Sequence, residues 1–376
     1  MAKRKIVYIA QSAGGVAEYL YMFFKNFNND SYENILIVSQ DYEEQIDRFK
    51  NLVSEIFFIP MRREIDIRDD LKSIRNVKKL LKLIKPDIVY LHSSKAGAIG
   101  RIALAFNFKV KILYNAHGWY FNAQISNQKK RIFAIIEKIL AIKTNKIINI
   151  SKNEYESALK YKIASKKKMC IIENGIDFTK FRDIDKYRKE TRKKYAIEEN
   201  EILIGVVGRL SEQKDPMTMI KAFERIHKEK NNTTLMYVGS GELEELVVEY
   251  AKNKNILDKI IISGWTNNVE KYIPAFDIAV LPSKWEGFGL VLIEYMACEK
   301  PIIASNVGGI KNIIDNFSNG ILFQSNNVEE LSRSMLEYID NKELREKVIK
   351  NNNLVREKYD INIVIQKHEK LFNEIF

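Results

Sequence analysis

Residues 282–310 read PSKWEGFGLVLIEYMACEKPIIASNVGGI, and the order of residue types in them decides the fold. They follow the apolar run Ile278-Ala279-Val280-Leu281, which reads as a buried parallel strand ended by Pro282. Residues 283–289 are turn-like and hold two glycines, which let a backbone approach a ligand closely. From Leu290 to about Cys298 the pattern is helical; Pro301 then opens a second apolar run that Gly308-Gly309 closes. Strand, glycine loop and helix are thus followed by another strand and glycine loop. That order sets the free N–H groups of a helix start beside a flexible loop, which suits an anion, most often a phosphate. Two carboxylates flank the place, Glu286 in the loop and Glu294 about a turn into the helix. They would repel a phosphate, so they serve better as acceptors for neutral hydroxyls, as an acidic residue does for a ribose in dinucleotide folds. A phosphate centre with hydroxyls on both sides describes a sugar nucleotide. The competing reading is a surface glutamate pair on an ordinary strand–helix unit.

A chain of 376 residues, 46% of them apolar, exceeds the usual single core and is expected to form two domains. It holds no apolar run of about eighteen residues, so no membrane span is expected. Its start leads straight into a strand, without a signal peptide's apolar core and cleavage site. Cys170 and Cys298 are too far apart in sequence to imply a disulfide framework or a zinc site, and a reducing cytosol fits. Charge is uneven. Residues 1–175 carry 31 Lys and Arg against 17 Asp and Glu, whereas the rest carries 30 against 32. The basic half suggests an anionic surface as partner: lipid headgroups, nucleic acid or a phosphorylated acceptor. A lysine-rich proteome would give the same bias.

Along the chain, strands are expected at 5–10, 34–39, 55–59, 87–91, 111–115 and 146–151, with another in 166–172. Gln11-Ser12-Ala13-Gly14-Gly15 joins the first strand to a helix, but lacks full G-x-G-x-x-G spacing. Residues 71–85 form the clearest amphipathic helix, with Leu71, Ile74, Val77, Leu81 and Ile84 on one side and six cations on the other. A second basic helix, 129–146, has Ile132, Phe133, Ile135, Ile136, Ile139 and Leu140 as a core face. Either helix could face a membrane or simply pack on the sheet. His92 and His117 stand at strand ends, where open parallel sheets bind ligands. Residues 176–200 are charged and poorly patterned and read as a linker; Asp183-Ile184-Asp185 within them reads as solvated surface, not a metal clip. Strand–helix alternation resumes at Glu201 and runs through strands near 202–207, 235–239, 260–263 and 278–281. The fold class is therefore α/β, with two doubly wound parallel-sheet domains facing a cleft. The expected boundaries are 1–175, linker 176–200, 201–360, and a last helix 361–376 crossing back to the first domain.

Arg209 and Lys214 leave a strand end five residues apart. Two cations there would neutralise a diphosphate and stabilise the charge that builds on it as a bond to it breaks. This is a job a divalent metal does elsewhere, and no metal-ligand cluster is evident.

With these residues in view, the chain resembles retaining glycosyltransferase family 4, which has the GT-B fold. Glu286 to Glu294 matches its E-x7-E signature. Val207-Gly208-Arg209-Leu210 with Lys214, Val238-Gly239-Ser240-Gly241, Gly264-Trp265, 301–309, Gly14-Gly15, His117-Gly118 and Asn174-Gly175-Ile176-Asp177 match as well. Residues 92–97 with 116–119 resemble the bacterial branch that builds capsule, exopolysaccharide and lipid-linked glycans. The resemblance implies that Glu286 holds donor-sugar hydroxyls beside the backbone of Phe288, Gly289, Leu290 and Val291, and that Glu294 holds the ribose. Arg209, Lys214, Gly14, Gly15 and Gly239 would attend the diphosphate, Gly264 and Trp265 the nucleobase, and His117 the reacting carbon and donor sugar. His92, Ser94 and Lys95 are the acceptor-side candidates. It also implies a UDP-linked hexose or N-acetylhexosamine donor, a lipid-linked or glycan acceptor, retention by a front-face route, and neither metal nor other cofactor. The place of action would be the cytoplasmic face of the membrane. Glu299 departs from the family's usual glycine and Asn312 from its frequent glutamate.

Two other functions stay open on sequence: a sugar-nucleotide epimerase of the same fold, and a non-catalytic polyanion-binding protein. Paired acidic residues and the lack of basic–aromatic stacking platforms argue against nucleic acid.

Overall fold

The structure is a computed structural model that describes residues 3–11, 13–27, 31–62 and 64–375. Ser12 of the first glycine loop and Phe376 of the last helix lie outside the described residues. The chain divides into two units, Met1–Gly175 with Ile361–Phe376, and Ile176–Asp360.

In unit 1, runs of Val, Ile, Leu and Tyr form strands β1 (Arg4–Ala10), β2 (Tyr32–Val38), β3 (Glu55–Phe58), β4 (Ile88–His92), β5 (Lys111–Asn115), β6 (Lys146–Asn149) and β7 (Met169–Ile171). All pair in parallel, in the order β3-β2-β1-β4-β5-β6-β7. Continuous apolar strands are what a parallel sheet covered on both faces requires. The helices are α1 (Gly15–Asn26), α2 (Ile67–Ile84), α3 (Ser94–Ala103), α4 (Asn127–Ala141) and α5 (Lys152–Lys160). Helix α2 starts earlier than its apolar period suggested because Asp66 caps it, accepting from the N–H groups of Arg68 and Asp69. It buries Val77, Leu81 and Ile84.

Helix α4 corrects the sequence reading. Its buried residues are Ala134, Glu137 and Ala141, while Ile132, Ile135, Ile136 and Ile139 point to solvent. The reason is Arg101, fully buried in α3, which needs the Glu137 carboxylate at 2.8 Å and so turns that face of α4 inward.

Unit 2 begins where a linker was expected. Residues 184–194 are helix α6 (Ile184–Lys194), and its arginines explain its order. Arg188 and Arg192 grip the two carboxylate oxygens of Asp277 at 2.7 and 3.1 Å, and Asp277 also accepts from Leu203 N–H. A charged, unpatterned stretch is thus fastened by ion pairs and not by an apolar stripe. Then come β8 (Ile202–Val207), α7 (Pro216–Glu229), β9 (Thr233–Val238), α8 (Glu244–Asn253), β10 (Ile260–Ile262), β11 (Ile278–Leu281), α9 (Leu290–Ala297), β12 (Ile302–Ser305), β13 (Ile321–Phe323), α10 (Val328–Asp340) and α11 (Lys342–Arg356). The parallel sheet runs β10-β9-β8-β11-β12-β13. Helix α12 (Ile361–Ile375) returns to unit 1, packs on α1 and buries Val364, His368, Leu371 and Phe372.

Candidate active site

In unit 2 the strand order reverses at β8 and β11, which lie side by side although far apart in sequence. Open α/β sheets bind ligands beyond the carboxyl ends of the strands at such a switch point. The loops after these two strands carry Arg209–Lys214 and Ser283–Gly289. Backbone and amide bonds zip them together: Lys284 N–H donates to Gln213 O at 2.8 Å, and Gln213 Nε2 donates to Trp285 O at 3.0 Å. This brings Lys214 Nζ into a short ion pair with Glu286, whose side chain is 9% exposed. Ser283 Oγ donates to the same carboxylate oxygen at 2.9 Å.

The Glu286 loop is shaped from behind. A Cβ on Gly309 would lie 2.1 Å from Gly287 O, and Gly309 N–H donates to Glu286 O at 2.9 Å. No other residue lets that backbone come so near. Gly239 does the same for the Arg209 loop, where a Cβ would lie 2.1 Å from Gly208 O. Its place is therefore behind that loop.

Helix α9 opens at Leu290 and Val291 with Gly289 as its cap in left-handed conformation. Leu292 N–H closes on Gly289 O at 2.9 Å, and the N–H groups of Leu290 and Val291 stand at the positive end of the helix dipole. Tyr295 ties this helix to the sheet, accepting from Val207 N–H at 2.8 Å and donating to Val280 O at 3.3 Å. Phe288 is buried against the ring of Tyr359. Glu294, one turn into α9, is partly exposed. Gly264 has open space above it and Trp265 is 58% exposed, a flat apolar surface at the end of β10. Glu299 takes φ +55°, which accounts for glycine being usual there in the family it resembles.

Unit 1 has its own switch point between β1 and β4. Gly14 caps α1 just after β1, and a Cβ on Gly15 would meet nothing within 4 Å, so this loop stays open to a ligand. Three of the chain's four histidines gather here. His368 Nδ1–H donates to Val364 O at 2.8 Å, so Nε2 is bare and accepts from Tyr90 and Tyr19 hydroxyls at 2.9 and 3.2 Å. His92 Nδ1 lies 2.9 Å from His117 Nε2, and its own buried Nε2 has no partner. An orphan acceptor is commoner than an orphan N–H, so His92 donates and His117 carries its proton on Nδ1. Burial and the neighbouring His368 push His117 down to about 3; burial, opposed by the Val364 hydrogen bond and aided by the Lys367 charge, pushes His368 to about 4. All three rings are neutral at physiological pH.

His117 sits at φ +53°, a conformation rare for any side chain with a Cβ. Two contacts hold it there. Asn115 Oδ1 accepts from His117 N–H at 2.9 Å, and Glu154 accepts from Trp119 N–H at 2.6 Å and from Asn122 Nδ2 at 2.8 Å. Burial raises the Glu154 carboxyl to about 7.

The acceptor-side candidates all make contacts within unit 1. His92 is fully buried and bonds His117. Lys95 bonds Asp70 at 2.6 Å and Glu64 O at 2.7 Å, and Ser94 shares a hydrogen bond with Tyr114. The sequence reading also missed Tyr19, Glu154 and His368. Ser151-Lys152-Asn153-Glu154 has capping-box spacing, and Ser151 does cap α5. That signal reads as helix start and says nothing of Trp119. Among the described residues no group of three or more His, Cys, Asp or Glu side chains could hold a metal.

A family model described as Glycosyltransferase Family 4 matches residues 13–180, and one described as Glycosyl transferases group 1 matches 187–355. The chain belongs to the family 4 glycosyltransferases. This glycosyltransferase is 29% identical over 311 residues to the UDP-Gal:alpha-D-GlcNAc-diphosphoundecaprenol alpha-1,3-galactosyltransferase of Escherichia coli, with 80% of each chain covered. It is 27% identical over 350 residues to the capsular polysaccharide biosynthesis glycosyltransferase CapM of Staphylococcus aureus, with 90% of each covered. The structure of Anabaena HepE in complex with UDP and glucose superposes with a TM-score of 0.85 at 18% identity, covering 98% of this chain and 99% of that one. The fold is GT-B. The epimerase and polyanion-binding alternatives are set aside by the family.

Proposed function

We propose that this glycosyltransferase moves a hexosyl or N-acetylhexosaminyl group from a UDP-linked donor to a lipid-linked or polysaccharide acceptor at the cytoplasmic face of a membrane. The reaction retains anomeric configuration and uses no metal. The observation that carries this is the Lys214–Glu286 pair at the β8/β11 switch point beside the α9 N-terminus. The names of the E. coli and S. aureus relatives, and UDP and glucose bound to HepE, support the donor and acceptor classes.

In the free enzyme Lys214 and Glu286 neutralise each other. A donor brings its own anion, the diphosphate. Lys214 and Arg209 then turn to it, and Glu286 is released to accept hydrogen bonds from hydroxyls of the sugar. Glu294 accepts from the ribose, and Trp265 with Gly264 faces the base. As the anomeric C–O bond breaks, its electrons go to the diphosphate, where the two cations and the α9 N–H groups stabilise them. The acceptor oxygen attacks from the face the diphosphate leaves, and its proton passes to a phosphate oxygen. His117 presents Nδ1–H to a sugar oxygen as a neutral donor.

The test is incubation with a panel of labelled nucleotide sugars and polyprenyl-diphosphate glycan acceptors, with and without EDTA. NMR of the product is expected to show the donor's own anomeric configuration and a rate unaffected by chelation. An inverted product, or activity lost to EDTA and restored by a divalent ion, overturns the mechanism.

A further inference from the structure

Helix α4 exposes its isoleucines. Ile132, Ile135, Ile136 and Ile139, with Ile142 just past its end, are 42% to 75% exposed. Burying such a side chain is worth about 1.5–3 kcal/mol, and isoleucine is not a favoured helix former, so neither stability nor helicity accounts for five of them in water. The loop after α3 adds Phe106 and Phe108, 89% and 82% exposed. Lys143 joins loop to helix: its Nζ donates to Asn107 O at 3.3 Å and lies 3.1 Å over the Phe108 ring. The exposed isoleucine stripe, with two exposed phenylalanines on the loop that Lys143 ties to it, is the kind of apolar surface that marks an interaction site.

Charge says what covers it. Residues 88–153 carry eleven Lys and Arg against a single acid, Glu137, which is buried and held by Arg101 and Tyr114. Exposed Lys129, Arg131 and Lys138 flank the isoleucines. At the end of α4 a shallow pocket lies between Ile142 and Leu159 and is edged by Lys138, Lys162 and Lys166. A second copy would bring the same positive charge to an isologous contact and repel. Apolar side chains flanked by cations match a lipid surface whose headgroups are anionic.

We propose that the outer face of α4, with Phe106 and Phe108, docks this enzyme on anionic phospholipid. The isoleucines and phenylalanines enter the headgroup–acyl boundary, and the lysine-edged pocket takes a lipid phosphate. This deepens the membrane part of the proposed function and rests on that reading for its purpose, but not for its test.

The experiment sediments the full-length protein with vesicles of phosphatidylcholine alone or mixed with phosphatidylglycerol. Wild type should bind the mixed vesicles, and less well as salt rises. Ile135→Ser with Ile139→Ser, and separately Phe106→Ser with Phe108→Ser, should weaken binding about tenfold or more with little change in Tm. Transfer to a water-soluble acceptor analogue should be unaltered. Undiminished binding by both double variants overturns the proposal. So does a wild-type dimer that the substitutions split into monomers. Predicted vesicle binding with no transfer from any donor would instead sink the functional reading and leave the docking face standing.

Discussion

Lys214 and Glu286 hold each other where a donor is expected to bind, so each must let go for the other to work. Replacing either leaves a charge in a mostly enclosed loop and removes a contact that strengthens as the leaving group charges. Lys214→Ala and Glu286→Gln are each expected to lower the transfer rate by about 10²–10³, measured at saturating donor with the fold checked by circular dichroism. His117 yields a different prediction. Because His92 donates to its Nε2 and burial disfavours its charge, ¹⁵N NMR should show His117 neutral and protonated on Nδ1, with no titration between about pH 5 and 8. A charged or Nε2-protonated His117 would break that assignment. The strand–glycine–helix units that carry Glu286, Glu294, Arg209 and Lys214 were legible because loop glycines and helix starts announce them. The ring cluster beside His117 was not. Tyr19, Tyr90 and His368 are scattered over the chain, and only the sheet and α12 bring them together.

Elements show where pattern reading works and where it fails. Strands of unbroken Val and Ile in both sheets were plain, since a doubly covered parallel strand can hardly be anything else. Helix α6 and the inward face of α4 were not, for one shared reason: ion pairs orient both, and hydrophobic periodicity does not see a buried arginine. The loop from Asn115 to Asn122 is similarly held by one carboxyl. Glu154 titrates at about 7 in the folded enzyme, against about 4.3 when unfolded. The folded state therefore holds the extra proton across that window, so stability falls as pH rises through it, by about 4 kcal/mol. Urea titrations at several pH values should show this slope, and Glu154→Gln should flatten it.

At the scale of the whole molecule, the chain does not build its units one after the other. Helix α12 belongs to unit 1, where Phe372 and His368 are buried among Tyr19, Phe23, Tyr90 and Phe27. Ending the chain at Asp360 strips their covering and removes the imidazole that the Tyr90 and Tyr19 hydroxyls bond. That truncation is expected to unfold unit 1 and spare unit 2, so limited proteolysis should leave a fragment beginning near residue 176. Survival of both units would show that the helix is dispensable.

The same arrangement bears on synthesis. A ribosome delivers all seven strands of unit 1 well before it reaches the histidine those strands close over. Until α12 emerges, the nascent first unit carries an open aromatic seam. Any stop codon ahead of α12 releases a polypeptide that quality-control proteases should recognise by that seam.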